Sequence, residues 1–191
     1  MSLPYDRLMA ATAAERDDFL STDIIRSALQ RGVAADLYVA YLAQAYHHVR
    51  FTCPLLSLAV ARCGPSDQTL QDALYEYIAE ERHHDGWILN DIRAIAGEGA
   101  VSALPQPNWA NRAMVGYVHF AIEHKSPYAM LGMVHVLEGV STDIATEAAT
   151  RIRVSLGLPD DAPGFSYLTS HGSIDQQHVA FFRDLVNGFE D

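Results

Sequence analysis

The sequence predicts an all-α protein, and three observations predict it. Apolar residues recur at three- and four-residue intervals along most of the chain, no stretch alternates with the period of two that a strand requires, and Gly and Pro pairs cut the periodic stretches into helix-sized lengths. The 191 residues, 49% of them hydrophobic and 19% charged, suit one soluble domain over 1–191 with a sizeable core.

Taken in order, Pro4 to Leu20 and Thr22 to Gln30 read as two short amphipathic helices, the second capped by Ser21 or Thr22 and followed by Gly32. Ala34 to Cys63 reads as a long helix kinked at Pro54, where a backbone donor is missing and the ring crowds the preceding turn. Gly64-Pro65 ends it. Asp67 to Ala96 is the next helix, stopped by Gly97. Gly97 to Pro107, with its two glycines and two prolines, is the most loop-like stretch and a candidate mobile flap. Asn108 to Lys125 is a helix with Trp109, Ala113, Tyr117, Phe120 and His124 on one face. Ser126-Pro127 then opens a helix running to about Leu156. Its first half, Tyr128 to Val140, is apolar almost all round, which predicts burial on every side; only His135 and Glu138 interrupt it. Gly157 to Gly164 is a turn-rich connection, and Phe165 to Phe189 is the last helix.

Composition removes several classes of function. The formal charge of −11 comes with a single lysine, Lys125, and no basic run, so no electrostatic footprint for nucleic acid or an anionic membrane surface exists. The first twenty residues carry Asp6, Arg7, Glu15, Arg16, Asp17 and Asp18, so they are not expected to act as a signal peptide or membrane anchor, and no later apolar run is long and uncharged enough to span a bilayer. Cys53 and Cys63, ten residues apart on one expected helix, are about 15 Å apart, too far to bridge. They read as reduced thiols of a cytoplasmic protein.

The chemistry stands out against the apolar stripes. Taking about 100° per residue, Leu70, Leu74, Tyr77, Ile88 and Ile95 share one stripe of the Asp67–Ala96 segment, and Glu81 and His84 fall on it too. A carboxylate and an imidazole turned into a helical core cost several kcal/mol unless something satisfies them. At i, i+3 the two can share one metal ion. In the last helix His171, Asp175 and His178 lie within an arc of about 60°, continuous with Phe181, Phe182 and Leu185. Two imidazoles and a carboxylate on an inward stripe suit iron, manganese or zinc. Glu138 adds a third helix, which makes three imidazoles and three carboxylates, a pattern by which helical bundles hold two irons.

These residues also carry a family resemblance. Tyr46-His47-His48-Val49-Arg50-Phe51, Glu80-Glu81-Arg82-His83-His84-Asp85-Gly86-Trp87, Val136-Leu137-Glu138-Gly139 and His171-x₃-Asp175-x₂-His178 resemble the haem-oxygenase-like iron-containing redox enzymes. Those are relatives of the thiaminase-II and pyrroloquinoline-quinone synthase folds, and several are non-haem diiron oxidases. The resemblance covers roughly Ala34 to Phe189. It implies a haem-oxygenase-like bundle of about seven helices, frequently dimeric, with Glu81, His84, Glu138, His171, Asp175 and His178 as metal ligands. Some members place a further glutamate on the long helix, where this chain offers His47 and His48.

The expectation is therefore an oxidoreductase binding iron, two ions in the simplest case, with manganese or zinc fitting the same donors. It would use O₂ to oxidise a small organic substrate, and it would work as a homodimer. His47, His135, Arg50 and His124 are candidates for supporting the metal or lining a substrate pocket. Plainer readings stand beside this one. Glu81 and His84 could be a buried hydrogen-bonded pair, Glu138 could answer Arg50 or Arg62, and His171 to His178 could be a capped helix start. A metal-free enzyme of the same fold and a non-catalytic metal or ligand carrier are the functional alternatives. A cysteine-nucleophile thiaminase fits poorly, because Cys53 and Cys63 lack the polar neighbours that activate a thiol.

Overall fold

A computed structural model describes residues 2–189, with side chains except at position 143 and positions 171–177. Eleven helices and no strand occur among the described residues: α1 (Pro4–Ala11), α2 (Ala13–Ser21), α3 (Asp23–Arg31), α4 (Ala35–Val49), α5 (Thr52–Arg62), α6 (Gln68–Glu81), α7 (His84–Ala96), α8 (Glu98–Ser102), α9 (Trp109–His124), α10 (Ala129–Ser155) and α11 (Ser166–Asn187). The all-α class is as the periodicity predicted. The higher helix count arises because three expected helices are each interrupted once and a short helix forms inside the expected loop.

Each interruption has a local cause. Pro54 lies in the first turn of α5, where its missing N–H has no partner to lose, and the chain turns one residue pair earlier, at Arg50-Phe51. A proline ring crowds the carbonyl four residues back, which here is Arg50, so the break falls there and α4 and α5 are separate helices. At the N-terminus Thr12 separates α1 from α2, its hydroxyl donating back to the Leu8 carbonyl at 2.9 Å. The third interruption, at Arg82-His83, shapes the candidate site and is treated below.

The chain divides into two compact units. The first comprises Met1–Ala34, Leu137–Ala162 and Leu168–Asp191. Within it the Tyr5 amide donates to the Asn187 side chain at 2.9 Å, and the Tyr5 ring meets Phe182 edge-on. Gly32 has φ +71, and a Cβ there would stand 2.5 Å from the Arg151 carbonyl, so only glycine admits this approach of α3 to α10. The Ser155 hydroxyl closes the same contact by donating to the Val33 carbonyl.

The second unit comprises Ala35–Val136 and Pro163–Tyr167. Its interior holds Tyr38, Leu42, Leu56, Leu74, Ile88 and Ile92, all fully or almost fully buried. Each such aliphatic side chain contributes about 1.5–3 kcal/mol of transfer free energy. The Tyr38 hydroxyl donates to the Gly164 carbonyl at 2.9 Å, and its ring stacks on Phe165 at 5.3 Å. A Cβ on Gly164, whose φ is +106, would strike Ile95 at 2.7 Å.

Two sequence expectations are corrected here, and the buried side of α9 is identified. The Gly97 to Pro107 stretch is not all loop: α8 lies within it, and α4 ties down its end. Gln44 accepts from the Asn108 amide at 3.0 Å, and His47 bonds the Pro105 carbonyl at 2.6 Å. The first half of α10 is not buried on every side, since Val136 is 56% exposed while Met130, Met133 and Val134 are buried. On α9 the buried face is Asn111, Val118, Ala121 and Ile122, and the aromatic stripe points outward, with Trp109 76%, Tyr117 61% and Phe120 50% exposed. Asn108 caps this helix, accepting from the Asn111 amide at 2.8 Å. No helix among the described residues is long and apolar enough to cross a membrane.

Candidate metal centre

In the second unit, Glu81 is the last residue of α6 and His84 the first of α7. The single helix expected over this stretch is broken by Arg82 in extended conformation and His83 in the left-handed region at φ 74. The charges explain where it breaks. Glu80 and Glu81 oppose the macrodipole at the end of α6, whereas Asp85 complements it at the start of α7. Gly86 would also weaken a continuous helix by about 1 kcal/mol. The turn still joins the two side chains: His84 Nδ1 stands 3.1 Å from Glu81 Oε2, and both residues are buried. Trp87 stacks on the His84 imidazole with centroids 4.0 Å apart, which fixes the ring plane.

In the first unit, Glu138 of α10 and His178 of α11 form a second pair, Oε1 to Nδ1 at 3.6 Å, with both residues again buried. The Glu138 carbonyl accepts from the hydroxyls of Thr142 at 2.8 Å and Ser141 at 3.0 Å. Two acceptances at one carbonyl loosen the local helix ladder beside the carboxylate. His171 and Asp175 belong to the backbone of α11, but their side chains lie outside the described residues.

The remaining candidates are placed as follows. His47 is buried, with its Nε2 on the Pro105 carbonyl. His135 is half-buried in α10. Arg50 is exposed, its guanidinium 5.0 Å from the Phe51 ring centroid, and His124 is exposed against Phe120 at 4.7 Å. Both cysteines are unsuited to nucleophilic work. Burial pushes the Cys53 thiol above its ordinary range, and the negative charges of Glu81 and Asp85 push it further. Burial and Asp67 do the same to Cys63.

One residue of this region escaped the sequence reading. Asp91 of α7 is 1% exposed and receives the start of α11: Oδ1 accepts from the Ser166 amide at 3.0 Å and from its hydroxyl, and Oδ2 from the Tyr167 amide at 2.8 Å. It is a helix cap supplied from 75 residues away in sequence. Its only sequence signal is its position, seven residues after His84 and thus on the same buried stripe of α7.

Against this geometry stand the comparisons with known proteins. A family model described as iron-containing redox enzyme matches residues 39–191. The chain belongs to that family. A solved domain of unknown function with a haem-oxygenase-like fold, from Shewanella denitrificans, superposes with a TM-score of 0.84 at 19% identity, covering 98% of this chain and 80% of that one. The fold is therefore haem-oxygenase-like. No functionally curated protein matches the chain.

The donors in hand fit iron. Each buried pair offers one imidazole nitrogen and one carboxylate oxygen, the mixture that suits Fe, Mn and Zn. A buried carboxylate is costly unless a positive charge or several donors meet it. A divalent cation bound at either pair would do so.

Proposed function

We propose that this protein is a non-haem iron oxidase or oxygenase that uses O₂ to oxidise a small organic substrate, with Glu81, His84, Glu138, His171, Asp175 and His178 as one ligand set for a pair of iron ions. The observation carrying this reading is the recurrence of a buried Glu–His pair in each unit of a chain that belongs to the iron-containing redox enzymes. Bound iron would supply the electron transfer and O₂ chemistry that amino-acid side chains lack. The chain's own residues do the positioning. Trp87 holds the His84 ring in its plane, and the turn at Arg82-His83 sets Glu81 beside it. Asp91 fixes the first turn of α11, the helix that carries His171, Asp175 and His178.

The test is anaerobic loading with Fe(II), metal counting by mass spectrometry, and oxygen consumption with an added reductant. Wild type is expected to hold up to two irons per chain and to consume O₂. His84→Ala and His171→Ala are expected to lose iron. Full iron stoichiometry in those variants overturns the ligand set. Iron binding without O₂ consumption turns the reading into a carrier, and turnover unaffected by chelators turns it into a metal-free enzyme.

A homodimer belongs to the same proposal. Trp109, Tyr117 and Phe120 leave a continuous aromatic stripe on the outside of α9. Large aromatics bury about 150–250 Å² each, so this stripe with its flanking residues supplies much of the roughly 800 Å² per partner that a stable interface needs. Two copies each carrying −11 associate through such an apolar face rather than through opposite charges.

A further inference from the structure

We propose that Trp87 is a redox-active residue, giving an electron through the His84 ring to iron that is reducing O₂; the inference rests on the metal centre proposed above. The Trp87 indole lies on the His84 imidazole with centroids 4.0 Å apart and the two planes inclined by 24°. At that separation the two π systems meet face to face in van der Waals contact. His84 Nδ1 stands 3.1 Å from Glu81 Oε2, in the pair that offers an ion one nitrogen and one oxygen. The indole therefore touches a ring that would itself bind the metal. Groups packed on a ligand in this way tune what the metal does as well as orienting the ligand. Indole is among the most easily oxidised of protein side chains and imidazole is not, so an electron leaving this stack comes from Trp87. Burial gives the stack a direction. His84 is 3% exposed, whereas Trp87 is half-buried beside a turn whose residues Arg82 and His83 are exposed. The indole thus spans the distance from the buried ligand to solvent.

Electron counting gives Trp87 its task. Reduction of O₂ to two waters consumes four electrons and four protons. Two ferrous ions supply two of the electrons on becoming ferric, and an organic substrate supplies the other two. When substrate is absent, that deficit falls on the protein. Trp87 meets it one electron at a time: the indole loses an electron inward through His84 and its N–H proton outward to water, leaving a neutral indolyl radical. Ascorbate, present as a reductant, returns one electron and one proton to the ring. A second passage completes the reduction, and the ascorbate that has given two electrons in all leaves as dehydroascorbate. Glu81 and His84 are thereby spared the oxidation.

The test uses the whole protein, loaded anaerobically with Fe(II), mixed with O₂ without substrate or reductant, and freeze-quenched for electron paramagnetic resonance. Wild type is expected to give an organic radical signal whose shape changes when the protein carries ring-deuterated tryptophan. Ascorbate is expected to discharge the signal and to raise the O₂ consumed per iron. The chain has two tryptophans, and the other, Trp109, is 76% exposed on α9, so the signal can be assigned between them. Trp87→Phe keeps a ring to stack on His84 but not an easily oxidised one, and is expected to lose the signal per bound iron, with iron counted in the same sample. Trp109→Phe is expected to keep it, which assigns the radical to Trp87 even if the Trp87 variant does not fold. Wild type that binds iron and consumes O₂ without a tryptophan signal overturns the role of Trp87 and leaves the metal centre standing. So does a signal that survives in Trp87→Phe and disappears in Trp109→Phe. Wild type that binds no iron, or binds it without consuming O₂, overturns both this role and the oxidase reading.

Discussion

Replacing Asp91 by alanine isolates the contact that seats the start of α11. The carboxylate accepts from two consecutive amides and a hydroxyl at the first turn of that helix, and it is 1% exposed. Loss of a capping acceptor costs about 1–2 kcal/mol. Loss of a negative charge at a partly buried helix N-terminus costs up to about 2 kcal/mol more. The donors released are not stranded completely, because Ser166 is exposed and water can reach it. The sum is about 3 kcal/mol, which for a chain of this size lowers Tm by about 6–12 °C. Asp91→Asn keeps the shape and one acceptor but not the charge, and is expected to lose about half as much. Urea unfolding followed by circular dichroism measures both. An Asp91→Ala protein within 1 kcal/mol of wild type would refute the reasoning, since it would mean that the three hydrogen bonds contribute nothing net.

Other outcomes follow from single positions. His83→Gly removes the strain of a side chain in the left-handed region and is expected to stabilise the protein by about 0.5–1 kcal/mol after the added freedom of the unfolded chain is subtracted; His83→Val is expected to destabilise it, and denaturant midpoints check both. The raised pKa of Cys53 and Cys63 keeps both as neutral thiols at pH 7, so alkylation by iodoacetamide is expected to be slower than for free cysteine and to accelerate only above the ordinary thiol range near about 8.5. Mass spectrometry across a pH series reads this, and fast labelling at pH 7 would contradict it. A Trp109→Glu/Tyr117→Glu double variant is expected to elute as a monomer by light scattering while wild type elutes as a dimer; a wild type that is monomeric at all concentrations removes the α9 interface.

What could be read from residues alone was considerable, and what could not follows a pattern. Periodicity placed nearly every helix, and the i, i+3 spacing placed Glu81 beside His84 even though the helix assumed to join them is broken. The pairing survives because a tight turn, like a helical turn, brings residues three apart within contact. Glu138 and His178 were singled out separately as polar groups on apolar stripes; their 3.6 Å approach is a property of how α10 and α11 pack. Periodicity put the aromatic residues of α9 on one face without saying which way that face points, because apolar character states what a surface prefers and not which surface the neighbours leave room to bury.

The sequence by itself determined the helical class, the net negative charge, the separation of the two cysteines and a short list of candidate metal-binding groups, all of which depend on composition and on neighbours within a few helical turns. Tertiary structure alone decided that Asp91 caps a helix 75 residues on, that the Pro105 carbonyl selects the tautomer of His47, and that Gly32 lies against the backbone of α10. Helical periodicity sets angles about one axis. Contacts between axes depend on loop lengths, on steric fit and on the free energy of the whole packing, none of which a single segment contains.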